Sequence, residues 1–326
     1  MNLTTSPESA IQIDERVAAA VLEGLLSPPK RLPAWLFYDE AGSRLFDEIT
    51  EVPEYYLTRT ERGIFIAHAA EMIAAAAGGE RLRIAELGAG SADKTRLLLA
   101  AAVEHQGNVL YEPVDVSASA LAAAMERIER EIPAVTVSTH HMDYTQGLKL
   151  KQAGAGERRL VLYIGSSIGN FEPHEAKLLL DRIRAGLNPG DGLLLGVDLT
   201  KDEATMLAAY NDAAGVTAKF NQNILIRLSR ELEGDFDPDA FEHRAIWNGI
   251  ESRIEMHLES RIAQRVRLTA LDLEVEFAPG ETIHTENSYK YRPGHAEAML
   301  AESGFLPAAR WTDERGWFAV CLGKAG

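Results

Sequence analysis

The sequence contains one cysteine, Cys321, among 326 residues. A single cysteine can form neither an intramolecular disulfide nor a cysteine-based zinc site, and such usage is typical of a reducing compartment. No apolar run approaches the ~18 residues that a membrane-spanning helix needs, and the first residues lack the basic end and apolar core of a secretory signal. We therefore expect a cytoplasmic protein with no membrane partner.

Basic side chains are fewer than acidic ones. The chain has 33 lysines and arginines against 49 aspartates and glutamates, a net charge of −16. A surface of that sign repels phosphate backbones, so nucleic acid is a poor partner. The hydrophobic content of 46% is ordinary for a globular protein. At roughly 150 residues per domain, the length predicts two lobes.

Apolar runs alternate with helical segments in the middle of the chain. The runs are RIAEL, NVLYEPVDV, AVTVSTH, RLVLYIG and GLLLGVD, and helices are predicted near 93–104, 118–131 and 173–186. Strands that are apolar throughout and separated by helices indicate a parallel sheet covered on both faces. This pattern predicts a doubly wound, Rossmann-like α/β domain. FLPAARWTD and WFAVCLGK predict a hairpin that returns to the edge of its sheet.

The flanking segments predict a second, smaller α+β unit. Residues 8–26 have the spacing of an amphipathic helix, and Thr58 with Glu61 three residues later predicts a capping box at the start of another helix. Residues 236–283 alternate with period two, as in RIEMHLE, which indicates an antiparallel sheet with one solvated face. His257 is expected on that solvated face.

A glycine turn follows the first strand of the α/β domain. In ELGAG the strand ends at Gly88 and Gly90, where backbone N–H groups can approach a ligand closely. Asp115 stands at the end of the next strand, where a carboxylate can hold ribose hydroxyls. Asp93 occupies the third-glycine position of the nicotinamide fingerprint GxGxxG. Together with Glu86 before the turn, this favours an S-adenosylmethionine methyltransferase over a nicotinamide dehydrogenase.

Eight segments in order resemble one family. They are FYDEAGSRLFDEITEVPEYYLTRTE, ELGAGSADKTRLLL, YIGSSIGNFEP, AAYNDAAGVTAKFNQN, FEHRAIWN, RIEMHL, LDLEVEFAPGE and TENSYKYRP. They strongly resemble the histidine-specific Nα-methyltransferases of ergothioneine biosynthesis, from about residue 30 to the C-terminus. The resemblance implies S-adenosylmethionine-dependent trimethylation of the α-amino group of L-histidine to hercynine (histidine betaine), the first step of ergothioneine biosynthesis.

The family's fold implies how the chain is divided. Residues 61–200 plus 291–326 are expected to form the S-adenosylmethionine-binding methyltransferase domain. Residues 1–60 plus 201–290 are expected to form the substrate-binding domain. The implied partners are L-histidine and its mono- and dimethyl intermediates, and we expect a monomer.

The resemblance also implies the site residues. Around S-adenosylmethionine it places Gly88, Lys94, Asp115, Asp143 and Tyr144. Around histidine it places Tyr55, Gly165, Asn170, Tyr210, Met256, Glu286 and Ser288, and it makes Tyr38 and Asn170 catalytic. As chemistry, Asn170 and Tyr210 are neutral donors suited to a carboxylate, whereas Glu286 and Ser288 can bracket the two nitrogens of an imidazole. Each also has an ordinary structural interpretation, such as a helix N-cap for Asp143 or core packing for Met256.

Parts of the sequence are also compatible with other functions. Adjacent His140 and His141 face opposite ways on a strand, so no metal is expected. The main alternative is the same scaffold methylating an aromatic amino acid to its betaine. Glu286 and Ser288 argue against it, because an imidazole has two ring nitrogens that need different partners. A protein that keeps the fold without catalysis is disfavoured by the presence of the expected pocket residues.

Overall fold

The computed structural model describes residues 13–90, 92–147, 150–151 and 153–326. Residues 8–12 of the predicted first helix, and Ser91 beside the glycine turn, lie outside the described residues. The helices are α1 (Glu15–Leu26), α2 (Glu40–Glu51), α3 (Tyr56–Ala77), α4 (Thr95–Gln106), α5 (Ala118–Glu131), α6 (Pro173–Ala185), α7 (Glu203–Ala209), α8 (Val216–Glu231) and α9 (His295–Glu302). The strands are β1 (Arg81–Leu87), β2 (Val109–Asp115), β3 (Val135–Val137), β4 (His140–His141), β5 (Glu157–Tyr163), β6 (Gly192–Asp198), β7 (Phe241–Asn248), β8 (Arg253–Ser260), β9 (Gln264–Leu268), β10 (Leu273–Phe277), β11 (Thr282–Tyr289), β12 (Phe305–Thr312) and β13 (Phe318–Ala325).

The large sheet has eight strands and is mainly parallel. Its order is β12-β13-β6-β5-β1-β2-β3, and β4 also pairs with β2. The strands from β6 to β3 pair in parallel, whereas β13 runs antiparallel to both β6 and β12. Every residue of β6 is buried, as expected for a strand covered on both faces. The predicted doubly wound sheet and the returning C-terminal hairpin are confirmed.

Helices cover both faces of this sheet. Buried side chains of α3, α4 and α5 pack in one cluster, and those of α6 and α9 pack in another on the opposite face. The strand order reverses at β1, with β2 on one side and β5 on the other. In doubly wound sheets a ligand crevice lies outside the carboxyl ends of the strands at such a point. Among the described helices, none is both long and apolar enough to cross a membrane.

A third cluster of buried side chains belongs to the second unit. It joins α1, α2, α7 and α8 with the strands β7 to β11. These strands form a three-stranded antiparallel sheet, β11-β8-β7, and a separate two-stranded ribbon, β10-β9. Along β8, buried residues alternate strictly with half-buried ones, as the period-two pattern predicted.

Two local predictions were wrong. Helix α3 begins at Tyr56 without a side-chain cap, and Glu61 is instead fully buried, where it accepts a hydrogen bond from the backbone N–H of Gly165 at 2.9 Å. A tertiary contact therefore replaces the predicted capping box. His257 is not solvated: its side chain is 13% exposed, its Nε2 lies 3.3 Å from Glu255 Oε2, and its ring packs 5.0 Å from that of His284.

Candidate active site

A pocket of about 520 Å³, counted with its open mouth, lies between the second unit and the carboxyl edge of the large sheet. Its lining includes all eight residues expected at the histidine and catalytic positions: Tyr38, Tyr55, Gly165, Asn170, Tyr210, Met256, Glu286 and Ser288. These residues come from well-separated stretches of the chain. The structure therefore brings the predicted substrate set together in one place.

A β-bulge in β11 directs Glu286 into this pocket. Strict alternation would place residues 284 and 286 on the same face of the strand. The register shifts between them, so that His284 lies opposite His257 on the outer face while Glu286 lies opposite Met256 on the pocket face. Thr285, at the bulge, places its hydroxyl 2.8 Å from Asn221 Oδ1. Bulges commonly re-aim side chains beside active sites.

Glu286 has few partners for a buried carboxyl. The nearest donor is Asn170 Nδ2, 3.5 Å from Glu286 Oε2. Burial raises the pKa of Glu286 to about 8, although the positive charge of Lys290 acts in the opposite direction. The carboxyl is therefore largely protonated near neutral pH, and a ligand that brings an N–H or a cation to it would favour ionisation.

Tyr210 and Ser288 form a pair of hydroxyls backed by a buried lysine. Tyr210 Oη lies 2.6 Å from Ser288 Oγ, and Lys290 Nζ donates to each at 2.8 Å. Lys290 also pairs with Asp198 at 2.9 Å, and both charged side chains are fully buried. The sequence reasoning missed Lys290 and Asp198. One feature of the sequence could have predicted them. Asp198 ends the otherwise apolar strand β6, and a buried charge there needs a partner of opposite charge.

Aromatic rings form one wall of the pocket. The ring of Tyr38 lies 5.8 Å from that of Phe46, and Tyr55 lies 6.3 Å from Phe46 and 6.2 Å from Tyr210. Burial, and then the negative charges of Glu286 and other groups, raise the pKa of Tyr38 well above its ordinary value of 10.0. Its phenol is therefore a neutral hydroxyl and not a base at physiological pH.

The glycine turn lies at the reversal point of the strand order. Gly88 and Gly90 have positive φ angles of 68° and 50°, and a side chain at Gly90 would meet only open space. Asp115, at the end of β2, accepts hydrogen bonds from the backbone N–H groups of Gly90 at 3.2 Å and Ser117 at 2.8 Å. Each carboxylate oxygen keeps a lone pair for a ligand hydroxyl. Burial raises the pKa of Asp115.

Two charged side chains next to this turn, Glu86 and Lys94, already have partners within the protein. Glu86 is buried beneath the turn, where it accepts hydrogen bonds from Thr95 and Tyr111, and burial raises its pKa to about 7. It therefore braces the turn and does not face a ligand. Lys94 is already paired with Glu61. With Asp115 available as an acceptor and Lys94 already paired, the described part of the turn fits a sulfonium ligand better than a phosphate.

Glu61 and Lys94 connect the two halves of the site. Both oxygens of Glu61 accept from the backbone N–H of Gly165, and a side chain added at Gly165 would lie 3.3 Å from Lys94 Nζ. Gly165 lines the substrate pocket, whereas Lys94 precedes α4 just after the glycine turn. The expected cofactor residue Lys94 thus lies at the boundary of both sites. Glu61 was missed because its spacing from Thr58 was interpreted as a cap.

Asp143 and Tyr144 follow β4. Asp143 caps the turn Tyr144–Gln146 by accepting from the backbone N–H of Thr145 at 2.9 Å, and it pairs with Arg16 of α1 at 2.9 Å. The Tyr144 hydroxyl would lie 3.7 Å from a side chain added at Gly88. Tyr144 is therefore beside the glycine turn. Asp143 combines the ordinary N-cap with a position at the predicted cofactor site.

A doubly wound sheet with a glycine turn where its strand order reverses, joined to a pocket of hydroxyls and a carboxyl, is the architecture of a Rossmann-like α/β methyltransferase. A family model described as histidine-specific methyltransferase, SAM-dependent, matches residues 17–325. The chain belongs to this family.

Curated relatives extend the match over nearly the whole chain. A histidine N-alpha-methyltransferase of Mycolicibacterium smegmatis is 47% identical and aligns over 94% of each chain. Another, of Mycobacterium tuberculosis, is 46% identical over 93% of this chain and 92% of that protein. Ergothioneine biosynthesis protein 1 of Neurospora crassa is 30% identical over 87% of this chain and 32% of that protein.

The histidines do not form a metal centre in the described ranges. No group of three or more His, Cys, Asp or Glu side chains there could hold a metal ion. His140 Nε2 lies 3.7 Å from Glu112, and His141 Nε2 lies 2.9 Å from the carbonyl oxygen of Val116.

Proposed function

We propose that the protein transfers three methyl groups in succession to the α-nitrogen of L-histidine, which gives hercynine and begins ergothioneine biosynthesis. The observation that carries this proposal is the pocket itself. It combines an under-hydrogen-bonded carboxyl at Glu286, a hydroxyl pair at Tyr210 and Ser288, and an amide at Asn170. These groups complement the imidazole and carboxylate of histidine. The histidine-specific family match supports the same substrate.

S-adenosylmethionine supplies an electrophilic methyl group bound to a sulfonium sulfur. We propose that Gly88, Asp115, Asp143 and Tyr144 bind it, with Lys94 at the boundary to the substrate. The open space beside the glycine turn and the lone pairs of Asp115 support this assignment.

The chain's main contribution to the reaction is positioning. Each transfer forms a nitrogen–carbon bond, breaks a carbon–sulfur bond and releases one proton from the amine. The α-ammonium of a free amino acid loses its proton at mildly alkaline pH, so its deprotonation needs no strong base. We propose that the neutral Tyr38 hydroxyl and Asn170 orient the amine. Holding the reacting atoms in line can contribute on the order of 7–11 kcal/mol.

The aromatic wall suits the later intermediates. Successive methylation converts the amine to a quaternary ammonium that can no longer donate hydrogen bonds. Aromatic faces attract such cations. Tyr38, Phe46 and Tyr55 line the same pocket, so the site offers the amine an apolar, cation-attracting surface as methyl groups replace its N–H donors.

We further propose a metal-free, cytoplasmic monomer that binds neither nucleic acid nor membrane. The single, buried Cys321 fits a reducing compartment and leaves no cysteine-based metal site, and the net charge of −16 disfavours nucleic acid and anionic membrane surfaces. The proposed division, 61–200 plus 291–326 and 1–60 plus 201–290, is supported by the buried clusters. The core of one cluster comes from 1–60 and 201–290, and the cores of the other two come, apart from Tyr289, from 61–200 and 291–326.

The test is mass spectrometry after incubation with S-adenosylmethionine and all common amino acids in one pot. The expected result is three methyl additions, on histidine alone. Additions to an aromatic amino acid would support the alternative function, and no addition to any amino acid would contradict both.

A further inference from the structure

Lys290 is fully buried directly behind the substrate pocket. Its ammonium has three N–H donors, and the structure shows three acceptors: Tyr210 Oη, Ser288 Oγ and Asp198 Oδ2. The ammonium also lies 4.5 Å from the centre of the Tyr210 ring. Every donor of this lysine is therefore used.

This arrangement fixes the direction of the hydroxyl hydrogens. Both Tyr210 and Ser288 accept from Lys290, so neither hydroxyl hydrogen can point at the ammonium. One of the two hydrogens lies in the 2.6 Å bond between the hydroxyls. The other is left for a ligand. The pair thus presents one donor to the pocket with a positive charge directly behind it, which is the chemistry that a carboxylate requires.

Asp198 holds the lysine in place. Its other carboxylate oxygen accepts from Lys201 at 2.6 Å, and Tyr56 donates to Oδ2 at 2.7 Å. The backbone N–H of Asp198 donates to Ser166 Oγ at 2.9 Å. An isolated buried ammonium would be strongly unfavourable, whereas a paired and fully hydrogen-bonded one is tolerated.

We infer that Lys290, anchored by Asp198, is a positioning residue that orients the hydroxyl of Tyr210 toward the carboxylate of the amino-acid substrate. In this arrangement Ser288 donates to Tyr210 and keeps a lone pair for the imidazole. The inference rests on the proposed function, since it requires an amino acid in this pocket. It assigns selection for the carboxylate to a side chain that does not touch the substrate.

The test compares two ligands in Lys290→Met. Calorimetric titrations of the enzyme loaded with S-adenosylhomocysteine measure Kd for L-histidine and for L-histidinamide, which lacks the carboxylate charge. We expect histidine to bind about tenfold or more weakly, as for a lost charge-assisted interaction, and histidinamide to change by less than about threefold. Lys201→Met is the matched control, because it removes a lysine from the same aspartate without touching the hydroxyls. It should weaken histidine binding by no more than about twofold.

A second measurement separates positioning from general damage. In a Tyr210→Phe/Ser288→Ala background, Lys290→Met should cause no further selective loss, because interacting groups are non-additive. If Lys290→Met does not bind S-adenosylhomocysteine, Lys290→Gln is measured in the same way with the same expectation.

Equal weakening of both ligands, or selective loss that persists without the hydroxyls, would overturn the inference. If the unaltered enzyme binds no histidine, the proposed function fails instead, so the two failures are distinguishable.

Discussion

Glu286→Gln should weaken histidine binding and stabilise the fold at the same time. Glutamine keeps the shape of the side chain and removes its charge. Burial raises the pKa of Glu286 from 4.5 to about 8, so the folded protein holds this proton more tightly than the unfolded chain does. The contribution of this bound proton to the free energy of unfolding is present in full below about pH 4.5 and is lost as the pH rises through 8.

The size of the effect follows from the same shift. At roughly 1.4 kcal/mol for each tenfold change in proton affinity, an ionised Glu286 costs at most about 5 kcal/mol of folding free energy above pH 8. Glu286→Gln should recover part of that cost, growing between pH 5 and 8. The lost charge-assisted hydrogen bond should weaken histidine binding by roughly 1.5–3 kcal/mol, or about 10- to 150-fold.

Two assays at pH 6, 7, 8 and 9 test both effects. Urea denaturation gives the free energy of unfolding, and calorimetry with S-adenosylhomocysteine present gives the histidine Kd. The titration of free histidine affects the calorimetry of the variant and of the wild type equally. The ratio of variant to wild-type Kd therefore reports the effect of the Glu286 charge alone. That ratio should rise toward pH 8 and then level off.

Glu255→Gln is the matched control. Glu255 lies on β8, the neighbouring strand, on the face of the sheet that points away from the pocket. There, hydrogen bonds from Asn248 and Arg253 outweigh burial and hold the pKa of Glu255 at about 2. The substitution should leave histidine affinity within about twofold and lower stability at neutral pH. A ratio for Glu286→Gln that stays near one at every pH would refute the reasoning.

Asp115→Asn should raise the S-adenosylmethionine Kd by about tenfold or more by calorimetry, since a ribose acceptor loses its charge; unchanged affinity would remove Asp115 from the cofactor site. Gly196→Ala should destabilise the protein by about 1–3 kcal/mol, because its side chain would lie 2.3 Å from Glu61 Oε1. Gly63→Ala, in an exposed part of α3 with no neighbour within 4 Å, should stabilise by up to about 1 kcal/mol in the same urea titrations. Equal effects of the two glycine substitutions would contradict the packing argument.

The large sheet was predictable because its signals are local. Runs such as GLLLGVD are apolar throughout, and only a strand covered on both faces needs that composition. The glycine turn was equally visible, since a positive φ at Gly88 requires a residue without a side chain. Such features depend on a few consecutive residues and need no knowledge of distant partners.

The electrostatic parts of the site were not predictable in this way. Lys290 and Asp198 lie 92 positions apart and meet only in the folded protein, and the partner that keeps Glu61 buried is a backbone N–H after β5. Glu286 and Ser288 both line the pocket, yet His284, two residues before Glu286, faces outward because the bulge intervenes. Period-two reasoning cannot locate a bulge, since the bulge arises from tertiary contacts.

The buried carboxyls around the site differ in how well they are hydrogen-bonded, and Glu286 lacks strong donors. Glu61 is neutralised by Lys94 and hydrogen-bonded by a backbone N–H, and Asp198 is bound by two lysines. Glu286 has a single long contact, with Asn170, among the described residues. A buried carboxyl without strong donors is unfavourable when ionised. A ligand that donates a hydrogen bond to the carboxylate therefore gains binding energy. An imidazole N–H supplies such a donor and a phenylalanine ring does not, so the incomplete hydrogen bonding of Glu286 is a basis for selecting histidine over amino acids whose side chains have no donor.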